Sequence, residues 1–213
     1  MTSQTEPRSL GAEGGFTLVE LIIAVLIIGV IAVPLGDVVI GFLRNSDSTT
    51  ARLLESHDVQ ITSAYWAQDV ASIGTRSPTS PYPLTQSVET GVPYAASLFP
   101  CGTSGTTPVV TLAWDDSITP DDTTLVRVAY VVQTSAGQRE LHRLRCQGSA
   151  IVLSDVTLAR GLDPSTPPSA ECSTDCAAAP AVPRTVKLNL TLKDPQNRDD
   201  PYAVVLTGQR RQS

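Results

Sequence analysis

The residue whose chemistry stands out in this sequence is Glu20, a carboxylic acid inside a long apolar run. From Phe16 to Val33 the other interruptions are Thr17 and Gly29, and the next basic residue is Arg44. A carboxylate in such a run is costly unless it pairs with a cation or reaches a polar interface. Glu20 is therefore expected either to snorkel to a membrane surface or to meet a positive charge from elsewhere.

The apolar run is long enough to cross a membrane. Its 18 residues, 16–33, would span ~27 Å as a helix, close to the thickness of a bilayer's hydrocarbon core. It has no polar face, so it is not an ordinary surface helix. The run is expected to be buried in lipid, among copies of itself, or in each environment in turn.

The string Gly15-Phe16-Thr17-Leu18-Val19-Glu20, followed by the apolar run, resembles the class III signal of type IV pilins and type II secretion pseudopilins. The resemblance implies cleavage between Gly15 and Phe16 by a prepilin peptidase on the cytoplasmic side, and N-methylation of Phe16. It also implies that Glu20 faces the α-amino group of a neighbouring subunit. Two opposite charges buried together cost far less than either alone, and their pairing would fix the stagger between subunits.

Two features depart from the pattern of that family. The leader has little net positive charge, because Arg8 and the amino terminus are offset by Glu6 and Glu13. Orientation by the positive-inside rule is therefore weakly encoded. Pro34 lies slightly earlier than the proline that many pilins carry, and it is expected to bend or loosen the helix.

Two simpler interpretations of the apolar run stay open. Val30-Ile31-Ala32 has small residues where a signal peptidase would cut, but the region before the run is not basic and the run exceeds 7–15 residues. A plain signal anchor is the other alternative. Neither interpretation explains Glu20.

The remaining chain predicts an α+β fold of pilin type, with a long N-terminal helix packed on an antiparallel β-sheet head with long loops. We divide it into a leader (1–15), a transmembrane and assembly helix (16–43), an amphipathic continuation (44–74) and an extracytoplasmic head (75–213). We call residues 16–74 the stem. Its continuation carries two apolar lines: Val59, Trp66, Val70 and Ile73, and then Leu54, Ile61 and Tyr65.

The head is predicted from its alternation of apolar and polar residues. Residues 75–108 are expected to be loops with one short strand, and 163–183 a loop. Residues 185–192 alternate strictly, which is typical of a half-buried antiparallel strand. The predicted strands are Val109–Trp114, Thr123–Gln133, Glu140–Cys146, Ala150–Leu158, 185–192 and Tyr202–Gly208.

The head also resembles, over short motifs, the J-type minor pseudopilins and related minor pilins. The motifs are Trp66-Ala67-Gln68-Asp69-Val70, Val128-Ala129-Tyr130-Val131-Val132 and Glu140-Leu141-His142-Arg143. The resemblance implies a structural subunit at or near the tip of a filament, which helps to start its assembly.

Four cysteines follow the apolar run, on the side expected to be oxidising. An even number favours two disulfides, with three possible pairings among Cys101, Cys146, Cys172 and Cys176. The spacing of Cys172 and Cys176, with only two histidines in the chain, disfavours zinc.

No other residues predict a cofactor, a metal or a catalytic site. His57 and His142 are far apart, and no nucleophile elbow, phosphate loop or metalloprotease motif occurs. The acidic pairs Asp115-Asp116, Asp121-Asp122 and Asp199-Asp200 lack the calcium-loop pattern and are expected to be solvated turn residues. We therefore expect a protein that is not an enzyme.

Charge argues against a nucleic-acid partner. The formal net charge is −6, which gives no field that would attract phosphates. One basic cluster, Arg139, Arg143 and Arg145, is expected to be a solvated strand face, and the other, Arg210-Arg211, a frayed end.

The resemblance instead implies five partners: prepilin peptidase, major and minor pilin-like subunits, the inner-membrane assembly platform, and the lipid bilayer before assembly. It predicts a single-pass membrane protein with a cytoplasmic leader and an extracytoplasmic head, which enters a filament. A secretion system, an adhesive or motile pilus and a DNA-uptake pilus stay open. A membrane-anchored or secreted binding or hydrolytic domain is the alternative function.

Overall fold

A computed structural model describes residues 15, 17–119, 122–178, 182–193 and 200–211. The chain divides into two units, Met1–Thr49 and Thr50–Ser213. One helix, α1 (Leu18–Ser72), contributes to both. It ends two residues before the predicted boundary at residue 74.

The N-terminal unit is built on the apolar part of α1. Residues Leu18–Ser46 have a mean hydropathy of 2.9, and none of the apolar window is buried inside the protein. A helix suits this segment because its backbone groups bond within the segment and need no partner in lipid. The helix continues through Pro34, which has no N–H to donate to the carbonyl of Val30.

The described residues of the C-terminal unit form ten strands and a short 3-10 helix, Tyr94–Ala96. The strands are β1 (Thr75–Arg76), β2 (Leu84–Thr85), β3 (Val88–Thr90), β4 (Val110–Thr119), β5 (Asp122–Ser135), β6 (Gln138–Gln147), β7 (Val152–Ala159), β8 (Ser169–Cys172), β9 (Thr185–Leu192) and β10 (Tyr202–Gln209). They form a five-stranded sheet in the order β3-β4-β5-β6-β7, a three-stranded sheet in the order β10-β9-β8, and a two-stranded ribbon of β1 and β2. The strand pairs within these sheets are antiparallel.

The predicted α+β fold class is confirmed, with two corrections to the loops. The stretch 75–108 holds three short strands instead of one. β1 pairs with β2 and β3 pairs with β4, and these pairings, not the local propensity of the residues, make the three segments strands. The predicted loop 163–183 contains β8, which pairs with β9 along Ser169–Cys172.

Asp115 and Asp116 lie within β4, so the prediction that they are turn residues is wrong.

The core of the C-terminal unit lies between the end of α1 and the two larger sheets. Trp66 and Val70 are fully buried and Ile73 nearly so, which agrees with the first apolar line of the stem. The Trp66 ring meets Tyr130 edge to face at 5.1 Å, and its Nε1 donates to the carbonyl of Val186 at 3.3 Å. One indole thus contacts the five-stranded sheet through Tyr130 and the three-stranded sheet through Val186.

Gly208 lets β10 approach α1 closely. A Cβ built on Gly208 would lie 2.5 Å from the Cβ of Val70, well inside van der Waals contact. Gly208→Ala is expected to lower the free energy of unfolding by about 1–3 kcal/mol, because helix and strand must separate. Urea denaturation measures this.

The matched control for Gly208 is Thr207→Ala, an exposed neighbour on the same strand, expected within about 0.5 kcal/mol of the parent. Adding Val70→Gly should make the cost of Gly208→Ala smaller, because the Val70 Cβ and both methyl groups, which would lie 2.5, 2.7 and 2.9 Å from the new Cβ, are gone. An unchanged cost in the Val70→Gly background would contradict the close approach.

Candidate functional site

The first turn of α1 lies immediately after the predicted cleavage junction. Gly15 is exposed and outside the helix, and Phe16 lies outside the described residues. The Thr17 hydroxyl accepts a hydrogen bond from the Glu20 backbone N–H at 3.3 Å, and the Thr17 carbonyl accepts one from the Leu21 N–H at 3.2 Å. Thr17 is therefore the N-cap of α1, and Thr17 and Glu20 have the spacing of a capping box.

Glu20 is exposed in the first turn of α1. Its carboxylate makes no hydrogen bond or ion pair with any residue that the structure describes. The positive end of the helix dipole favours a negative charge at this position. Glu20 is thus held at the helix start with its carboxylate available to a cation from another molecule.

The apolar side chains around Glu20 are also open to a partner or to lipid. Leu18, Val19 and Leu21 are 75%, 64% and 59% exposed, and the described residues remain exposed along α1 as far as Ser46. So much apolar surface has to be covered by a bilayer or by other helices. This part of α1 is therefore a contact surface, with one acid near its start.

A second polar group holds α1 on the five-stranded sheet. The Asp69 carboxylate accepts three hydrogen bonds: from Arg143 Nη2 at 2.6 Å, from Arg143 Nε at 2.7 Å and from the Tyr130 hydroxyl at 2.6 Å. Asp69 is 1% and Arg143 6% exposed. The Arg143 guanidinium also lies 4.9 Å from the centre of the Tyr65 ring. A bidentate ion pair in the core thus joins α1 to β6, and the hydrogen bond from the Tyr130 hydroxyl joins α1 to β5.

Burial sets the ionisation of this network. Burial and then the charge and hydrogen bond of Asp69 raise the pKa of the Tyr130 hydroxyl well above its usual value, against a smaller opposing effect of Arg143. Burial by itself lowers the pKa of the Arg143 guanidinium, but the hydrogen bonds and charge of Asp69 outweigh it, so the pKa is raised. Arg143 therefore stays charged and Tyr130 stays neutral at physiological pH.

The raised pKa of Tyr130 predicts a loss of stability at alkaline pH. In the unfolded chain a tyrosine ionises near pH 10, whereas in the folded chain Tyr130 holds its proton. The stability that this adds is complete below about pH 10 and falls at higher pH, by at most about 1.4 kcal/mol per pH unit, until the folded hydroxyl ionises. Urea denaturation at a series of pH values measures the slope.

Tyr130→Phe is expected to be less stable at neutral pH but to show a smaller decrease above about pH 10. Tyr82→Phe is the matched control, since Tyr82 is 40% exposed, and it should keep the slope of the parent. Equal slopes in Tyr130→Phe and the parent would contradict the assignment.

The prediction that the Arg139, Arg143 and Arg145 cluster is a solvated strand face is wrong for Arg143. Asp69 and Arg143 are 74 residues apart, so the local sequence of β6 does not reveal the pairing. A signal was nevertheless present: Asp69 lies inside the apolar line of the stem, beside Val70 and three residues after Trp66. An acid there is expected to have a buried cationic partner.

Further polar contacts fasten the stem to β7. The Thr62 hydroxyl donates to the carbonyl of Leu158 at 3.0 Å, and Asp58 accepts from the Arg160 backbone N–H at 3.1 Å.

On β6, His142 lies between two carboxylates, with Nδ1 2.7 Å from Asp155 and Nε2 3.3 Å from Glu140. Within the described part of the chain, no three His, Cys, Asp or Glu side chains are placed to hold a metal ion.

The four cysteines form two disulfides, Cys101–Cys146 and Cys172–Cys176. The first ties the loop after β3 to the end of β6 across 45 residues, and the second closes a small loop after β8. Closing the 45-residue loop of Cys101–Cys146 stabilises the folded chain by about 4 kcal/mol in the chain-entropy model. Such crosslinks suit a head in an oxidising compartment.

Comparison with known families assigns the N-terminal segment. Residues 11–36 match the model of the prokaryotic N-terminal methylation motif, the class III signal peptide of type IV pilins. Comparison with curated proteins gives no match. The matched segment contains Gly15, Phe16 and Glu20, so it covers the predicted junction and the first turn of α1. It supports a type IV pilin-like or pseudopilin protein that is processed by prepilin peptidase and anchored by its apolar helix.

Proposed function

We propose that this chain is a minor subunit of a type IV pilus or a type II secretion-like filament, placed at or near the tip, where it helps to start assembly. The observation that carries the proposal is Glu20: an exposed acid at the start of an exposed apolar helix, five residues after Gly15 and inside the methylation motif. A membrane anchor or an export signal needs no such acid.

In the proposed mechanism the chain first inserts into the inner membrane, with residues 1–15 in the cytoplasm and the head outside. Prepilin peptidase removes the leader, and Phe16 becomes the methylated N-terminus. An assembly platform then extracts the subunit, and its apolar surface exchanges lipid for the stems of other pilin-like subunits. That surface therefore stays covered throughout, so extraction does not expose it to water.

Glu20 would set the register of the stem during this exchange. Its carboxylate would pair with the protonated α-amino group of a neighbouring subunit, which lies in the same apolar layer. The pair has a favourable energy only when both charges are buried together. Thr17 supports this geometry, because its N-cap fixes where the helix begins relative to the new N-terminus.

A minor position is supported by the head. The three motifs that resemble J-type minor pseudopilins meet at one carboxylate: Asp69 from the stem motif binds Arg143 from the β6 motif and Tyr130 from the β5 motif. The three motifs thus form one buried network. We also propose that the head is structural and not catalytic, with no cofactor, metal or nucleic-acid partner.

Quantitative analysis of sheared filaments tests the proposed position. We expect the chain to co-purify with other pilin-like subunits at a small fraction of the major subunit's abundance. Removing it should reduce the number of filaments and leave the length of the remaining ones similar, because initiation and not elongation is lost. Abundance equal to the major subunit, or unchanged filament number without it, would refute the minor, initiating role.

A further inference from the structure

The outer edges of the two larger sheets differ in how they are protected from pairing with other strands. An unprotected edge is a template for a strand of another molecule, and proteins usually shorten it, bend it, cover it or place proline near it. β3 has three residues and β8 has four, and β7 has two register shifts against β6. β10 has eight residues in unbroken register with β9.

β10 presents unpaired backbone groups at its free edge. The Arg210 N–H donates to the carbonyl of Arg184, the residue just before β9, whereas the Arg211 N–H donates to the carbonyl of Ala71 of α1, on the other side. Backbone N–H groups alternate in direction along an antiparallel strand. At every second residue before Arg211, the N–H therefore points away from β9. The residues concerned are exposed: Ala203, Val205, Thr207 and Gln209. Their outward backbone groups make no hydrogen bond to the backbone of any other residue in the described part of the chain.

The composition of β10 also lacks the usual protection. Pro201 directly precedes it, but from Tyr202 to Gln209 the strand has no charge and no proline, and Val205 is 59% and Tyr202 53% exposed. Uncharged β-forming residues on a regular edge are those that pair readily with a second strand.

The two ends of β10 carry opposite charges. Asp200 precedes the strand and is exposed, whereas Arg210 and Arg211 follow it. The Nε of Arg210 is buried and has no hydrogen-bond partner among the described residues. In an antiparallel pair of two identical strands, the acidic end of each would lie beside the basic end of the other.

We propose that β10 pairs with β10 of a second copy of this chain, antiparallel and about a two-fold axis, so that the two three-stranded sheets become one of six strands. The register that uses every free edge residue places Val205 opposite Thr207 and Ala203 opposite Gln209. In this register Asp200 of one copy lies beside Arg211 of the other. The free backbone groups and the charges are thus satisfied together.

Cysteine crosslinking of the full-length chain in detergent tests the register. Two differently tagged copies, Val205→Cys and Thr207→Cys, are mixed and oxidised. Directly opposite residues have Cα atoms about 5.5 Å apart, within the range of a disulfide. The matched control replaces Thr207→Cys by Lys187→Cys, an exposed residue beside Thr207 on β9 that lies one strand further from the edge.

The 205–207 crosslink is expected at least about tenfold more often than the 205–187 crosslink, because Lys187 lies one strand further away, so its Cα is about 10 Å from that of Val205, beyond the reach of a disulfide. Equal yields of the two, or crosslinking of Val205→Cys only to a different protein, would overturn pairing with a second copy.

Charge reversal gives an independent measurement by analytical ultracentrifugation. Asp200→Arg is expected to weaken self-association on the order of tenfold, since two attractions per dimer become repulsions. Asp200→Arg with Arg211→Asp should restore it, and Glu171→Arg on β8 is the control that should not change it. A parent chain that stays monomeric at high concentration, or a double variant that is no stronger than the single one, would refute the proposal. Neither experiment depends on leader removal, so filament function and self-pairing can fail separately.

Discussion

Replacing Asp69 with alanine is expected to lower the free energy of unfolding of the C-terminal unit by about 3–5 kcal/mol. The substitution leaves the Arg143 guanidinium charged and almost fully buried, without the carboxylate that accepts from two of its nitrogens. It also removes the acceptor of the Tyr130 hydroxyl. The stem would then lose its polar attachment to β5 and β6, and urea denaturation measures the loss.

Matched variants separate the unpaired charge from ordinary side-chain truncation. Asp116→Ala removes an exposed acid from β4 and should change stability by less than about 0.5 kcal/mol. Asp69→Leu with Arg143→Met should recover most of the loss, because an apolar pair of similar volume needs no partner. If Asp69→Ala were as stable as Asp116→Ala, the network would not be what holds the stem to the sheet.

Replacing Glu20 with alanine is expected to leave membrane insertion and leader removal largely intact, yet to reduce incorporation into filaments roughly 100-fold or more. The change would leave a neighbour's α-amino group buried without its counter-charge, at a cost of about 3–5 kcal/mol. Insertion should survive because the helix becomes more apolar without the acid. The ratio of processed chain in sheared filaments to processed chain in membranes measures the effect.

Asp37 provides the control for Glu20, since it is the second acid in the same exposed stretch of α1. Asp37→Ala should be incorporated nearly as well as the parent, because no α-amino group is expected at its level. Normal incorporation of Glu20→Ala, or an equal defect in Asp37→Ala, would count against charge pairing as the source of the register.

The parts of the fold that the sequence predicted are those with a local signal. The apolar run of α1, the stem line through Trp66 and the strict alternation of 185–192 each carry a periodicity that survives in the structure. The strands that were missed depend on distant partners. Thr75, for example, pairs with Thr85 of β2 and bonds with Gln86 and Ser87, which follow β2, and nothing in residues 75–76 alone indicates a strand.

The same distinction applies to the candidate site. Gly15, Phe16 and Glu20 are contiguous, so a short string was enough to single them out, and the family motif covers the same residues. Arg143 looked like a surface charge because its β6 neighbours include Arg145 and His142. Its burial follows from Asp69 on a different element: the stem shows that this acid needs a cationic partner, but the local sequence of β6 does not show that Arg143 is that partner.

The central claim is that this chain is processed as a pilin-like subunit, and the mass of its mature N-terminal peptide tests it most directly. In cells that contain an active prepilin peptidase, tandem mass spectrometry is expected to find a chain that starts at Phe16 and carries one N-methyl group. A chain that still starts at Met1, or one that starts at Val33 after cleavage by an ordinary signal peptidase, would contradict the account.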